Sequence, residues 1–235
     1  MSSPALYAVV PAAGVGARMG ADIPKQYLSL NGQTILQHTL SGLANYSALK
    51  QIVVPIAAHD AWFAQQAIAQ HEKIQTCEGG AERFESVLNG LNHLLDSGVD
   101  EHAWVMVHDV ARPCLRHADI DKLISQGSEQ GAILAMEVRD TMKRTDASGA
   151  IINTVDRNQL WHALTPQLAP LGVLQRAISQ CVAQSVNITD EASALEFIGL
   201  HPKVVAGHPS NIKVTRPEDL ELAEFFLAHQ PNPKR

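Results

Sequence analysis

The chain has 235 residues, 46% hydrophobic and 18% charged, with 24 acidic side chains against 18 basic ones for a formal net charge of -6. That balance fits one globular domain with a sizeable core. It offers no global attraction for nucleic acid or an anionic membrane, so any polyanion must be met by locally concentrated cations, which favours a small phosphorylated ligand. No apolar run approaches the roughly 20 residues that span a bilayer, and the start MSSPALYAVVPAAG lacks a basic leader. Cys77, Cys114 and Cys181 are scattered and form no C-x-x-C pair, as expected of buried thiols in a reducing, cytoplasmic compartment.

In chain order, Leu6 to Val10 is a continuous apolar run stopped by Pro11 and glycines, the pattern of a strand buried on both faces. Thr34 to Tyr46 shows helical spacing, with Ile35, Leu36, Leu40 and Leu43 on one side. A strand is expected over Gln51 to Ala57 and a helix over His59 to Gln70, with Asp60 in its first turn. A helix over Glu82 to Leu95 follows the Gly79-Gly80 turn, and a central strand covers Trp104 to His108. This alternation predicts an α/β fold, a Rossmann-like three-layer arrangement of a mostly parallel sheet with helices on both faces.

The rhythm breaks in the middle. Ala132 to Arg139 reads as a strand, Asp140 to Arg144 as a polar extended segment, Asp146-Ala147-Ser148-Gly149 as a turn and Ile151 to Val155 as a β-branched return strand. The resulting hairpin, about 138–158, has no place in the main sheet and is expected to project. An isolated hairpin is marginal in water, so a homodimer built on this arm is expected. Helices are then expected over Leu171 to Ala183 and Asp190 to Ile198, with short strands near Lys203 to Val205 and Ile212 to Val214. Pro217 to Ala228 is expected to close the fold as a helix, with Glu218 and Asp219 in its first turn. Gln230 to Arg235 is expected to fray. With no repeat or linker, 1–235 is read as a single domain with an arm.

The strongest local signal follows the first strand: Pro11-Ala12-Ala13-Gly14-Val15-Gly16-Ala17-Arg18-Met19-Gly20. Small residues let backbone N–H groups close around phosphate oxygens, and glycines allow the positive φ such a loop needs. Met19 holds the place of the last glycine in G-x-G-x-x-G, and no Gly-Lys-Ser/Thr follows, so neither the dinucleotide fingerprint nor the Walker A loop fits. An ordinary strand-to-helix turn would explain the glycines. It would not explain Arg18 beside them and Lys25 soon after in Pro24-Lys25-Gln26. Asp109 ends the Trp104 to His108 strand, and ligands of open α/β sheets collect at such carboxyl ends. A hard dication suits one carboxylate with phosphates and water. Metalloprotease and serine-hydrolase signatures are absent, since Gln75 stands where His71-Glu72 would need a second histidine and no G-x-S-x-G occurs. Aromatics are only 5%, too few for a single-strand nucleic-acid platform.

PAAGVGARMG with PKQYL resembles the N-terminal signature of nucleotidyltransferases. Further blocks then follow in order: Gly79-Gly80-Ala81-Glu82-Arg83, His108-Asp109-Val110-Ala111-Arg112-Pro113, Asp140-Thr141-Met142-Lys143-Arg144 and Thr154-Val155-Asp156-Arg157. Trp161 to Gln167, Thr189-Asp190-Glu191-Ala192 and Asn211-Ile212-Lys213-Val214-Thr215 complete the set. Together they resemble the 2-C-methyl-D-erythritol 4-phosphate cytidylyltransferases of the non-mevalonate route to isoprenoid precursors, over nearly the whole chain.

The resemblance implies a nucleotidyltransferase fold and CMP transfer from CTP to 2-C-methyl-D-erythritol 4-phosphate, with release of pyrophosphate. Mg2+ or another divalent cation would be the cofactor, held mostly by nucleotide phosphates with Asp109 as its protein ligand. Arg18 and Lys25 would grip the triphosphate, with Gly14 and Gly16 in the loop, and Lys213 would reach the α-phosphate. Ala12, Ala13 and Gly80 through their backbone, and Ser86 through its hydroxyl, would select the base. Asp109 and Arg112 would stand near hydroxyl groups. Thr141 and Arg157 on the arm would reach the acceptor in the neighbouring subunit, with Thr165 at the arm's base. His108 is expected to be packed or hydrogen-bonded. Ala81 stands where some relatives carry an acid, and Val110 where alanine is common. The competing readings are a cytidylyltransferase for another polyol phosphate, such as ribitol 5-phosphate, and a non-catalytic CTP-binding regulator.

Overall fold

The computed structural model describes residues 5–14 and 23–230. The chain opens with β1 (Leu6–Val9), and β2 (Ser29–Leu30) and β3 (Gln33–Thr34) form a small ribbon before α1 (Ile35–Ala44). β4 (Leu49–Ile56), β5 (Ile74–Glu78), α2 (Arg83–Asp96), β6 (Trp104–Val107), α3 (His117–Gln126) and β7 (Ala132–Glu137) follow. The arm comprises β8 (Met142–Thr145) and β9 (Ile151–Val155). β10 (Trp161–Pro170), α4 (Leu171–Ala183), α5 (Glu191–Phe197), β11 (Lys203–Ala206) and α6 (Glu218–Ala228) complete the chain.

Seven strands form one sheet in the order β11-β7-β10-β6-β1-β4-β5. β1 pairs in parallel with both β4 and β6, β4 with β5, and β11 with β7; β10 alone runs antiparallel, between β6 and β7. The expected three layers follow from how β1 divides its side chains. Ala8 and the following Val10 pack with Leu36 and Leu40 of α1 and with Ile120 and Leu123 of α3. Val9 faces the other way, onto Val87, Leu91 and Leu94 of α2 and Leu174 and Ile178 of α4. A run apolar on both faces is what a central parallel strand requires, and each fully buried leucine contributes roughly 1.5–3 kcal/mol of transfer free energy. α6 closes a smaller cluster of Leu30, Ile35, Cys114, Val214 and Ala223.

Several elements depart from the sequence reading, among them α3 and the β2–β3 ribbon, which it did not anticipate. The helix expected over His59 to Gln70 is two 3-10 turns, Phe63–Gln65 and Ala67–Gln70. Asp60 does cap the first, accepting from the N–H groups of Trp62 and Phe63. The run then breaks at Gln66, whose backbone is extended, and the Ile68 N–H donates to Gln37 Oε1 of α1 instead of to its own helix. The edge strand β5 was not anticipated, because its residues are largely polar and exposed. Nor was β10, whose Pro166 and Pro170 read as breakers. The ladder tolerates Pro166 because the β10–β7 register shifts between Ala163 and Gln167. The strand expected over Ile212 to Val214 is irregular: the Val214 N–H donates to Ala111 O, and the Ile212 N–H turns back to Ser210 O.

The hairpin stands apart as its own two-stranded sheet, with Met142 opposite Val155 and Thr145 opposite Ile151. Its turn matches the expected chemistry. Asp146 Oδ1 accepts from the Ser148 N–H, the Ser148 hydroxyl and the Ala150 N–H, and Gly149 takes φ +87°.

Candidate active site

β1 is the strand at which the sheet changes direction, with β4 on one side and β6 on the other. The loops leaving β1 and β6 must diverge there, which opens a crevice at the carboxyl ends of the strands. A cavity of about 280 Å³ occupies it. Pro11 to Gly14 after β1 and Asp109 to Ala111 after β6 form two walls; Gly80 to Arg83 and Ser86 at the start of α2, with Lys25, Gln26 and Lys213, form the rest. The chain thus brings together Ala12, Ala13, Gly14, Lys25, Gly80, Ser86, Asp109 and Lys213 from five separate segments. Gly16 and Arg18 lie outside the described residues.

The slot between β1 and α2 depends on close approach. A Cβ on Gly79 would sit 2.4 Å from Ala13 Cβ, and one on Gly80 would sit 2.3 Å from Glu85 Cβ. Glu85 needs that space to reach back to the Glu82 N–H as half of a capping box, which satisfies two donors at the start of α2. Ser86 closes the same turn by accepting from the Gly80 N–H at 3.0 Å. Ala12 is anchored on both sides, its N–H to Pro55 O at 2.8 Å and its carbonyl to Gln26 Nε2 at 2.6 Å. Val110 is buried in the core cluster while also bordering the cavity, and its carbonyl accepts from Thr39 Oγ1 at 2.7 Å.

The floor is ionic. Asp109 Oδ1 accepts from Arg83 Nε at 2.9 Å, and Oδ2 lies 2.9 Å from Lys213 Nζ and 3.5 Å from Arg112 Nε. Burial opposes the carboxylate's charge, but the attraction of Arg83 and Lys213 outweighs it and holds the group well below the usual carboxylate range. Arg83 in turn forks onto Glu191, at 2.6 and 3.2 Å. Burial works against its charge too; Glu191 and Asp109 more than restore it, so the guanidinium stays firmly protonated. Lys25 Nζ donates to Val214 O at 3.3 Å, tying the first cationic segment to the one that carries Lys213.

Arg112 and Thr165 lie beneath the cavity, 8% and 5% exposed. Arg112 Nη1 donates to Asn211 O at 2.7 Å, and Asn211 Nδ2 donates to Thr165 O at 2.7 Å, which fixes the approach of the Lys213 segment. Burial lowers the Arg112 pKa against the pull of Asp109. Thr165 Oγ1 accepts the Asp109 N–H at 3.0 Å and lies 3.0 Å from His108 Nδ1. His108 Nε2 faces the Arg112 carbonyl at 3.1 Å, which can only accept. The proton therefore sits on Nε2, and Nδ1 accepts the threonine hydroxyl. Burial pushes the His108 pKa down to about 4. His108 is packed and hydrogen-bonded, as expected. Thr141 and Arg157 on the arm are exposed and stand apart from this cavity.

Sequence reasoning quoted the blocks that hold Arg83, Glu191 and Asn211 without giving these residues a part, and it missed the role of Gln26. The available signal was a charged or amide side chain inside each block, which shows its meaning only when a distant partner is known.

A family model described as IspD, 2-C-methyl-D-erythritol 4-phosphate cytidylyltransferase, matches residues 6–229. The chain belongs to this family. The family member of Haemophilus influenzae (strain ATCC 51907 / DSM 11121 / KW20 / Rd) is 53% identical over 222 residues, covering 94% of this chain and 96% of the relative. That of Vibrio vulnificus (strain CMCP6) is 54% identical over 235 residues, covering 99% of both. Among solved structures, the Francisella tularensis 2-C-methyl-D-erythritol 4-phosphate cytidylyltransferase superposes with a TM-score of 0.82 at 38% identity, over 94% of this chain and 99% of that one. A 4-diphosphocytidyl-2C-methyl-D-erythritol synthase gives a TM-score of 0.83 at 35% identity, over 96% of this chain and 100% of that one. The nucleotidyltransferase architecture with a mostly parallel sheet is shared.

Proposed function

We infer that the chain transfers CMP from CTP to 2-C-methyl-D-erythritol 4-phosphate, giving 4-diphosphocytidyl-2-C-methyl-D-erythritol and pyrophosphate. One observation carries the mechanism: Lys213 and Arg83 converge on the Asp109 carboxylate, with Lys25 lining the same cavity, beside a backbone-lined slot at the strand ends where a sheet of this type binds its ligands. An oxygen of the acceptor's phosphate attacks the α-phosphorus in line, forming a new P–O bond. The bond from the α-phosphorus to the bridging oxygen breaks, and pyrophosphate leaves with its electron pair. The attacking oxygen is already ionised, so no protein nucleophile or base is needed. Catalysis reduces to alignment and to meeting the charge on the α-phosphate.

In this reading Ala13, Gly14, Gly80 and Ser86 seat the cytosine and sugar, and the narrow slot favours a pyrimidine over a larger purine. Lys25 and Arg18 bind the triphosphate. Lys213 moves between Asp109 and the α-phosphate; its side chain is 38% exposed, which leaves it room to do so. Arg112 and Thr165 hold Asp109 and the Lys213 segment in register. Among the described residues no group of three or more His, Cys, Asp and Glu converges, so the donor set fits a cation that takes most of its oxygens from phosphate and water. Asp109 is the protein ligand we assign to magnesium or another divalent ion, which would neutralise phosphate charge.

The arm completes the proposal. Ile151 and Ile152 are 65% and 62% exposed, apolar surface that a second copy would cover. Thr141 and Arg157 would then reach the partner's acceptor, making the enzyme a homodimer with composite sites. Among the described residues no helix is long and apolar enough to cross a membrane, consistent with work in the cytoplasm.

The test is pyrophosphate release with magnesium, CTP and 2-C-methyl-D-erythritol 4-phosphate, beside ribitol 5-phosphate and the other nucleoside triphosphates. Rapid release with CTP and methylerythritol phosphate alone is the expected result. Release with ribitol 5-phosphate instead would overturn the acceptor, and CTP binding without release from any pair would overturn catalysis.

A further inference from the structure

We propose that Glu191 is a positioning residue for the transfer, acting through Arg83 to hold the Asp109 carboxylate in line with Lys213. The proposal rests on the transfer reading above and assigns a part to an acid that never touches the cavity.

Glu191 opens α5 and is 2% exposed. Both its oxygens meet Arg83, Oε1 at 2.6 Å from Nη1 and Oε2 at 3.2 Å from Nη2. A guanidinium gripped this way by two of its nitrogens is fixed in plane, and the direction of its remaining donor is fixed with it. That donor, Nε, meets Asp109 Oδ1 at 2.9 Å, and the other Asp109 oxygen meets Lys213 Nζ at 2.9 Å. Four side chains of alternating sign therefore run from the base of a helix to the reacting end of the cavity. Only the last is a group that must meet phosphate.

The far end of this row is itself immobilised. Asp190 caps α5 in a reciprocal box with Ser193. Gln167 of β10 grips the same turn from both sides, its Nε2 donating to Asp190 Oδ2 at 2.9 Å and its Oε1 accepting the Ala192 N–H at 2.8 Å. Thr165, two residues earlier on β10, accepts the Asp109 N–H. Side chain and backbone of Asp109 are thus both referenced to one strand. Arg83 has an alternative, because its side chain is 31% exposed and water is at hand. Without Glu191 the guanidinium is free to turn outward. Asp109 then loses the partner that orients Oδ1, and its hold on Lys213 loosens. With Glu191 gone, water can answer the partly exposed Arg83 charge, so the effect to look for is geometric.

The experiment compares Glu191→Gln, Arg83→Gln and the double variant with the unsubstituted protein. Turnover at saturating CTP and methylerythritol phosphate is expected to fall about tenfold in Glu191→Gln, with the KM for CTP within about twofold, because the Gly80 and Ser86 slot is untouched. The double variant should be no slower than Arg83→Gln alone. A second measurement needs no turnover: in substrate-free protein, an amine-reactive reagent read by mass spectrometry should modify Lys213 several-fold faster in Glu191→Gln, at unchanged circular dichroism. Should Glu191→Gln fail to fold, Glu191→Asp keeps the charge but shortens the reach, and the same gain in labelling is expected. Unchanged labelling of Lys213, turnover within twofold of the parent, or effects that multiply in the double variant would each sink the proposal. Faster labelling in a protein whose parent releases no pyrophosphate would instead leave the positioning role standing and remove the transfer reading.

Discussion

The cavity at the centre of the sheet and the β8–β9 arm are built on opposite terms. On the cavity floor the charges of the described residues answer one another: Asp109 faces Arg83, Lys213 and Arg112, and Arg83 is forked onto Glu191. On the arm, every residue of β8 is exposed, and Ile151 and Ile152 lie open. The difference teaches where a single chain is self-explanatory. A buried ionic cluster declares its own geometry, because an unanswered charge in a low dielectric would be too costly to keep. An exposed hairpin acquires meaning only from what it meets.

Breaking the ionic centre should have the largest effect. Lys213→Ala is expected to lower turnover by at least about 100-fold, on the order of 3 kcal/mol of transition-state stabilisation. The thermal midpoint should barely move, because the lysine is partly exposed and Asp109 keeps Arg83 as a partner. Pyrophosphate release and a melting curve on the same preparation check both halves.

Acid should find the centre before the arm. His108 is buried and its pKa is pushed down to about 4 by desolvation, against about 6.5 in the unfolded chain. The folded state therefore resists a proton that the unfolded state accepts. The stabilisation is fully present above pH 6.5 and is lost as pH falls toward 4, with a ceiling of about 3 kcal/mol. Denaturant titrations between pH 7 and pH 4.5 should show the decline. The imidazole resonances of His108 should remain those of the neutral ring down to about pH 5.

The arm should answer to acceptor and partner alone. Arg157→Ala is expected to raise the KM for methylerythritol phosphate about tenfold or more, the scale of a lost hydrogen bond to a charged group. CTP affinity by calorimetry should be unchanged; normal acceptor use would remove the arm from the site. The smallest effect on folding belongs to Ile151→Asp. It should change the free energy of unfolding by no more than about 0.5 kcal/mol, yet shift sedimentation from dimer toward monomer. An unaltered dimer would place the interface elsewhere.

The alternation of apolar strands and amphipathic helices was legible because both periodicities report a buried face directly, and α4 runs over Leu171–Ala183 as its spacing predicts. Lys25, Gly80, Ser86, Asp109 and Lys213 were singled out through the motifs around them, and all line one cavity. The 59–70 segment was misread because its spacing is helical, whereas the N–H of Ile68 is taken by Gln37, a side chain 31 residues earlier. β10 was missed because prolines usually end strands, and the compensating slip in register is visible only when β7 lies beside it.

Taken by itself, the sequence determined the class of fold and the family, since each is written in local pattern or in the order of short motifs. Tertiary structure decided how the charges are shared. It placed Arg83 between an acid 26 residues away and another 108 residues away, closed the Ser86 hydroxyl onto the Gly80 turn, and set Thr165 to hold Asp109 by its backbone. Ion pairs and hydrogen bonds depend on distance and direction in space, and the sheet alone brings such remote residues within 3 Å of one another.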